Sequence, residues 1–274
     1  RRMGRGPLHL VQGGLAGQLE QAGHEVRLVE VRLDEGFLIE VGTAAETQRL
    51  VAECVAAEGA EERFPIVLSG NCATSVGTMA GSGCLDTAVV WLDSHGDLNT
   101  PETSTSGFLD GQVLTMLTGD SWQGLAATVP DFRPVPHERV ALVGVRDLDP
   151  PETAYIERHA IPLVGVDAIR GGAGVAMAAA LERIAAGAAG AYFHLDLDVL
   201  DPEVAYVNPY QAPDGLTVED VEGVIEAVAA RLPLRSAAVT AYDAEHDPDG
   251  RGAAAALRLI MALAAAVDPE RIDA

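Results

Sequence analysis

The sequence predicts an α/β fold, a three-layer α/β/α arrangement around a mainly parallel sheet. Short apolar segments of strand length alternate with helical segments along the chain. Those segments are continuously apolar, as expected of strands covered on both faces. The unusual polar clusters fall at their carboxyl ends, where open α/β sheets bind ligands.

The elements follow in order. Gly6 and Pro7, then Leu8, Val11, Leu15, Leu19 and Ala22, have helical spacing that stops near Gly23. Residues 26–31 read as a strand and 43–57 as a helix, followed by a strand at 65–68, a helix at 72–79 and a strand at 87–92. A Thr/Ser-rich loop covers 99–107, and a short helix 109–117. Strands are expected at 140–145, 161–166, 191–197 and 237–242, with helices at 152–159, 175–186, 218–232 and 253–266. No repeat, low-complexity linker or break divides the chain, so residues 1–274 are expected to form one domain, long enough to bury a full core.

A net charge of −23 excludes a nucleic-acid binder, which needs clustered Lys and Arg, and favours divalent cations and cationic substrates. No apolar run is long enough to span a bilayer, and no secretory signal is visible. Cys54, Cys72 and Cys84 are sparse and lack framework spacing, which suits a reducing cytoplasm.

Two of the strand-end clusters carry the chemistry. In extended backbone alternate side chains share a face, so Asp93, His95 and Asp97 can point one way, as can Asp196 and Asp198. Acids gathered on one face inside a core repel and resist desolvation unless a cation lies between them. The mostly oxygen donor set with one imidazole admits Mn, Fe, Co or Zn, and five ligands suit two divalent ions sharing a water better than one ion. Asp and Asn also close turns and cap helices, but two such motifs at strand ends of one sheet favour metal.

The segments WLDSHGDLNTP and HLDLDVLDP resemble two signature motifs of the ureohydrolases, the arginase, agmatinase and formiminoglutamase family. GRGPLHLVQGGL and VALVGVRDLDPPE resemble further family segments, so the likeness extends through most of the chain. The family's first strand normally precedes the Gly-Pro entry and is expected to be missing here. The resemblance implies an arginase-like fold, homo-oligomers (trimers or hexamers) and a binuclear site, most simply of Mn. In it Asp93 and Asp196 bridge, Asp97 completes one shell, and His95 with Asp198 serves the other. It further implies that a metal-bridging hydroxide, oriented by Asp97, attacks the amidino carbon of a guanidino compound to release urea or hydroxyurea. Asn99 and Ser106 match positions that hold an α-carboxylate, and Asp149 one that binds an α-amino group.

The chain departs from the family at three places. The position of a metal-ligating His is Cys72, which reads either as a softer, negatively charged ligand that opens the site to Zn, Fe or Co or as a small buried residue making no metal bond. This variant resembles the Nω-hydroxy-L-arginine amidinohydrolase branch. The proton-shuttle His is replaced by Asp110, and the neighbouring α-carboxylate Asn by Phe108. Asp110 reads equally as an N-terminal helix cap. At the guanidinium-binding Glu stands Asp243, with Glu245 as a rival, and His246 is the candidate replacement proton donor. His194 is expected to support a ligand carboxylate, while His9, His24, His137 and His159 are read as structural and Trp91 and Trp122 as packing. A deacetylase on a related fold would want a paired His-His base, and no such dipeptide occurs. The competing reading is a non-catalytic ureohydrolase-like binding protein with a degraded metal site.

Overall fold

A computed structural model describes residues 3–33 and 39–267. Helix α1 (Gly6–Gln12) and helix α2 (Leu15–Gln21) divide the expected first helix, because Gly14 adopts φ 93° and turns the chain. Helix α3 (Glu40–Ala60) leads to strand β1 (Ile66–Leu68), and a 3₁₀ turn at Cys72–Thr74 opens helix α4 (Ser75–Ser82). Strand β2 (Thr87–Leu92), helix α5 (Val113–Leu117), helix α6 (Gln123–Ala126) and strand β3 (Val140–Val143) come next. They are followed by helix α7 (Pro150–His159), strand β4 (Leu163–Val164), helix α8 (Val166–Arg170), helix α9 (Ala173–Ile184) and strand β5 (Gly190–Asp196). Helix α10 (Val218–Ala229), strand β6 (Leu234–Thr240) and helix α11 (Arg251–Ala266) close the chain.

The six strands form one sheet in the order β1-β6-β5-β2-β3-β4, every pair parallel. Strands β2, β3 and β5 are buried throughout, which explains their unbroken apolar runs. The α/β/α expectation therefore holds: one core cluster joins α2, α9, α10 and α11 to one face of the sheet, and a second joins α3, α4 and α5 to the other. Parallel pairing sends every strand's carboxyl end to one edge, so the loops after β2, β3, β5 and β6 converge there.

Some boundaries move. Residues 26–31 are not a strand. They lack a ladder partner among the described residues, and Leu28 and Val29 are 55% and 47% exposed, so β-forming residues alone did not make a strand there. Together with β1 and α3 they line an open apolar groove. The strand expected at 161–166 contracts to β4, and the short helices α6 and α8 were unmarked by apolar periodicity. No described helix is long and apolar enough to cross a membrane.

Helix α4 fits against α3 through its glycines. A Cβ on Gly77 would stand 2.2 Å from the Gln48 carbonyl oxygen, and one on Gly81 2.6 Å from that of Ala52. This close approach fixes the helix whose first turn presents Cys72.

Candidate metal centre

The centre is built from the ends of β2, β5 and β6 and the turn before α4. β2 leads into Asp93, which is 1% exposed. Its Oδ1 accepts the His95 backbone N–H at 2.7 Å, and its Oδ2 accepts the Trp91 indole N–H at 3.2 Å. β5 delivers Asp196 on its last residue; Asp198 then returns in a 3₁₀ turn closed by its own N–H donating to Asp196 Oδ1 at 2.9 Å. Asp97 arrives through a left-handed residue, φ 51°. The expected strand alternation thus places neither second aspartate; tight turns bring both into the cluster.

Their surroundings explain how such acids are tolerated. Ser94 donates to Asp198 Oδ1 from its hydroxyl at 2.8 Å and its backbone N–H at 3.1 Å. The His95 ring, through Nδ1, lies 3.2 Å from Asp93 Oδ1 and 3.4 Å from Asp198 Oδ2. Burial alone would raise Asp198, but His95 and Ser94 outweigh it and hold this carboxyl below the usual range. His95 itself is raised, because the two carboxylates outweigh its partial burial. Asp93 is pushed up to about 6 by burial and by Asp198, and burial with neighbouring charge carries Asp97 and Asp196 well upward. One imidazole against four aspartates leaves the cluster strongly acidic.

Cys72 is buried at this point, not at the surface. Its Sγ donates to Asp196 Oδ2 at 2.9 Å and lies 3.4 Å from the Thr240 hydroxyl, which also donates to Asp196 Oδ2 at 3.1 Å. Burial, then Asp196 and the other acids, push the thiol's pKa well up. Beside it stands His194, fully buried and stacked on Trp91 with centroids 3.5 Å apart and planes 10° apart. Burial lowers its pKa to about 3, so the ring is neutral.

Donor atoms of Cys72, Asp93, His194 and Asp196 all lie within 4.8 Å of one another, as do those of Asp93, His95 and Asp198. The two sets share Asp93. Asp97 belongs to neither set, yet its buried Oδ2 has no hydrogen-bond partner among the described residues. A buried, unpartnered carboxyl oxygen costs on the order of 1–3 kcal/mol of lost solvation, and more when it is charged. A cation amid these thiol, imidazole and carboxylate donors removes that cost, so the residues present fit divalent metal ions.

The arginase family model matches residues 5–266. The chain belongs to the arginase family. It is accordingly an enzyme of the metal-dependent amidinohydrolase class. It is 28% identical over 242 residues to an arginase of Schizosaccharomyces pombe, covering 81% of this chain and 73% of the relative. It is 31% identical over 212 residues to the N(omega)-hydroxy-L-arginine amidinohydrolase of Streptomyces lavendulae, covering 76% and 71%. The solved arginase of Bacillus subtilis superposes with a TM-score of 0.87 at 27% identity, over 96% of this chain and 93% of that one.

The residues that the arginase-family likeness assigns to substrate fall into separate groups. Asn99 Nδ2 donates to Asp149 Oδ2 at 3.0 Å, joining two of them. Ser106 is exposed and its hydroxyl accepts the Phe108 N–H at 3.1 Å; Phe108 in turn stacks on Tyr210 at 6.3 Å. Asp243 is buried and accepts from the Glu245 N–H at 3.0 Å, and its Oδ2 lies 3.0 Å from His246 Nδ1. Asp110, also buried, accepts from the Asn71 amide and from the Ala73 N–H at 3.0 Å, gripping the residues on both sides of Cys72. Burial pushes it up to about 6.

The sequence reading missed Thr240, Ser94 and the indole of Trp91 as partners of the carboxylates. Ser94 lies inside the first motif and could have been found there; nothing local marks Thr240, which is brought in only by β5–β6 pairing. Arg146 was also passed over. Its guanidinium donates to the carbonyls of Asp198, Val199, Leu200 and Ala212, holding the turn that bears Asp198. A separate surface cluster of Asp120, His137 and His159 lies beside Tyr155.

Proposed function

We propose that this enzyme hydrolyses the C–N bond of a linear guanidino compound, releasing urea or hydroxyurea, with two divalent ions held by Cys72, Asp93, His95, Asp97, Asp196 and Asp198. The observation that carries this reading is the pair of donor sets sharing Asp93, since a carboxylate common to two sites is what a bridging ligand requires. When bound, such ions lower the pKa of water and neutralise charge that develops during attack.

The chain's own residues supply the rest. Asp97, with one oxygen unpartnered, would accept a hydrogen bond from the attacking water and orient it. Asp243, one methylene shorter than the family's Glu, is the candidate anchor for the guanidinium, and His246, hydrogen-bonded to it, is placed to protonate the leaving amine. Asn99 and Asp149, already bonded to one another, would receive the substrate's polar head. An aromatic ring, Phe108, stands where the family holds an α-carboxylate, and the proton-shuttle position is the carboxylate of Asp110. Phe108 disfavours a free amino-acid head in the usual pose, and the Cys72 variant, which resembles the Nω-hydroxy-L-arginine amidinohydrolase branch, favours a hydroxyguanidine among the substrates to test. Cys72 in the ligand set favours Zn, Fe or Co beside Mn.

The test is product release from arginine, hydroxyarginine, agmatine, guanidinobutyrate and formiminoglutamate, run alongside metal analysis of the purified protein. Turnover of one guanidino compound with about two ions per chain is expected. No turnover and no bound metal, even with excess Mn or Zn, would establish the non-catalytic binding protein instead. That alternative gives no reason to keep four buried aspartates in one cluster.

A further inference from the structure

We propose that His194 is a direct metal ligand, completing with Cys72, Asp93 and Asp196 a mixed nitrogen, sulfur and oxygen site unlike its oxygen-rich neighbour. The inference rests on the reading of Cys72 as a ligand and adds a residue that the strand motif itself does not require.

Four observations carry it. Tyr192, His194 and Asp196 alternate on one face of β5, so the imidazole and the carboxylate are aimed into the same space. A ring atom of His194 lies within 4.8 Å of donor atoms of Cys72, Asp93 and Asp196, and all four residues are buried. The two ring nitrogens differ in their partners. Nδ1 lies 3.0 Å from the Ser75 hydroxyl and 2.9 Å from the Tyr192 hydroxyl, whereas among the described residues Nε2 has only a 3.5 Å contact with Thr240 Oγ1, itself against Cys72 and Asp196. Metal-bound imidazoles donate their other ring N–H to a fixed acceptor, and Ser75 and Tyr192 supply that acceptor for Nδ1–H, leaving the Nε2 lone pair toward the cluster. Finally, Trp91, which stacks on His194 at 3.5 Å, also donates to Asp93, so one side chain orients both prospective ligands.

The chemistry of the donors then sets the metal. One thiolate and one imidazole beside two carboxylates suit Zn or Co, whereas Asp93, His95 and Asp198 suit Mn. The two sites are therefore expected to fill with different ions. The nitrogen lost where Cys72 stands in the turn before α4 is returned by His194 of β5.

Cadmium NMR on nitrogen-labelled protein tests this in the resting state. Cadmium held by Cys72 is expected to give a thiolate-shifted resonance scalar-coupled to one imidazole through Nε2. His194→Phe keeps a ring against Trp91 and should abolish that coupling and weaken Zn and Co binding by about tenfold or more. If the variant does not fold, the coupling in the unaltered protein decides alone. A thiolate-shifted resonance with no imidazole coupling overturns the proposal while leaving the amidinohydrolase reading intact. Absence of any thiolate-shifted resonance overturns both this site and Cys72 as a ligand, and guanidino turnover then tells separately whether the enzyme reading survives.

Discussion

The Cys72 thiol donates to Asp196 Oδ2 at 2.9 Å across 124 residues of sequence. Burial and the surrounding acids hold that proton on sulfur, so a metal ion must displace it to bind. Metal affinity should therefore rise with pH, and calorimetry in buffers of different ionisation enthalpy should detect proton release on binding. Cys72→Ser should lower Zn or Co affinity by about tenfold or more, equivalent to about 1.4 kcal/mol, as read by metal content after dialysis. Unchanged retention would remove Cys72 from the ligand set.

Asp97 offers a cleaner separation of chemistry from folding. Its backbone sits at φ 51°, a region that Asn enters as readily as Asp. Asp97→Asn should keep the fold and the melting profile of the metal-free chain, while kcat of the metal-loaded enzyme falls by about 10²–10⁴. Activity within a few-fold of the unaltered enzyme would show that another group orients the water.

Asp110 predicts a pH dependence of stability. Its folded pKa, about 6, exceeds the usual carboxylate value because the side chain is buried. Between the two values the folded chain retains a proton that the unfolded chain has released. Asp110 thus favours folding at low pH, and this contribution is lost as the pH rises through about 6. The stability of the unaltered chain relative to Asp110→Asn should fall by about 2–3 kcal/mol from roughly pH 4 to roughly pH 7, measured by urea unfolding. A pH-independent difference would contradict the assignment.

Gly77→Ala tests the packing beneath the site. The added Cβ would meet the Gln48 carbonyl oxygen at 2.2 Å, with no flexible side chain to yield. The substitution should cost about 1–3 kcal/mol, seen as a lower urea midpoint at unchanged slope. Because α4 carries the turn bearing Cys72, metal retention should fall with it.

Much of this was legible from residue types alone. Alternating apolar strands and helices predicted the layered sheet, and the two aspartate motifs marked the edge where the buried donors gather, because a clustered charge inside an apolar chain has few other uses. What escaped depended on partners distant in sequence. Residues 26–31 have strand-forming side chains but no neighbour to pair with among the described residues. His194 could be placed on the face of Asp196 by strand periodicity, yet its intimacy with Cys72 required knowing where α4 begins. The positions of Asp97 and Asp198 depended on turns that local pattern did not reveal.

Glu152 ties these elements together mechanically. One of its carboxylate oxygens accepts the Leu98 N–H and the other the Asp149 N–H, each at 2.9 Å, while Leu98 adjoins Asp97 and Asp149 is bonded to Asn99. A Cβ on Gly96 would press to 2.9 Å from the same carboxylate, so the staple has no slack. Anyone re-engineering the loop of Asn99 and Asp149 would be pulling on Asp97, the proposed catalytic aspartate, through this single side chain. Substrate preference and turnover in this scaffold will have to be redesigned as one unit.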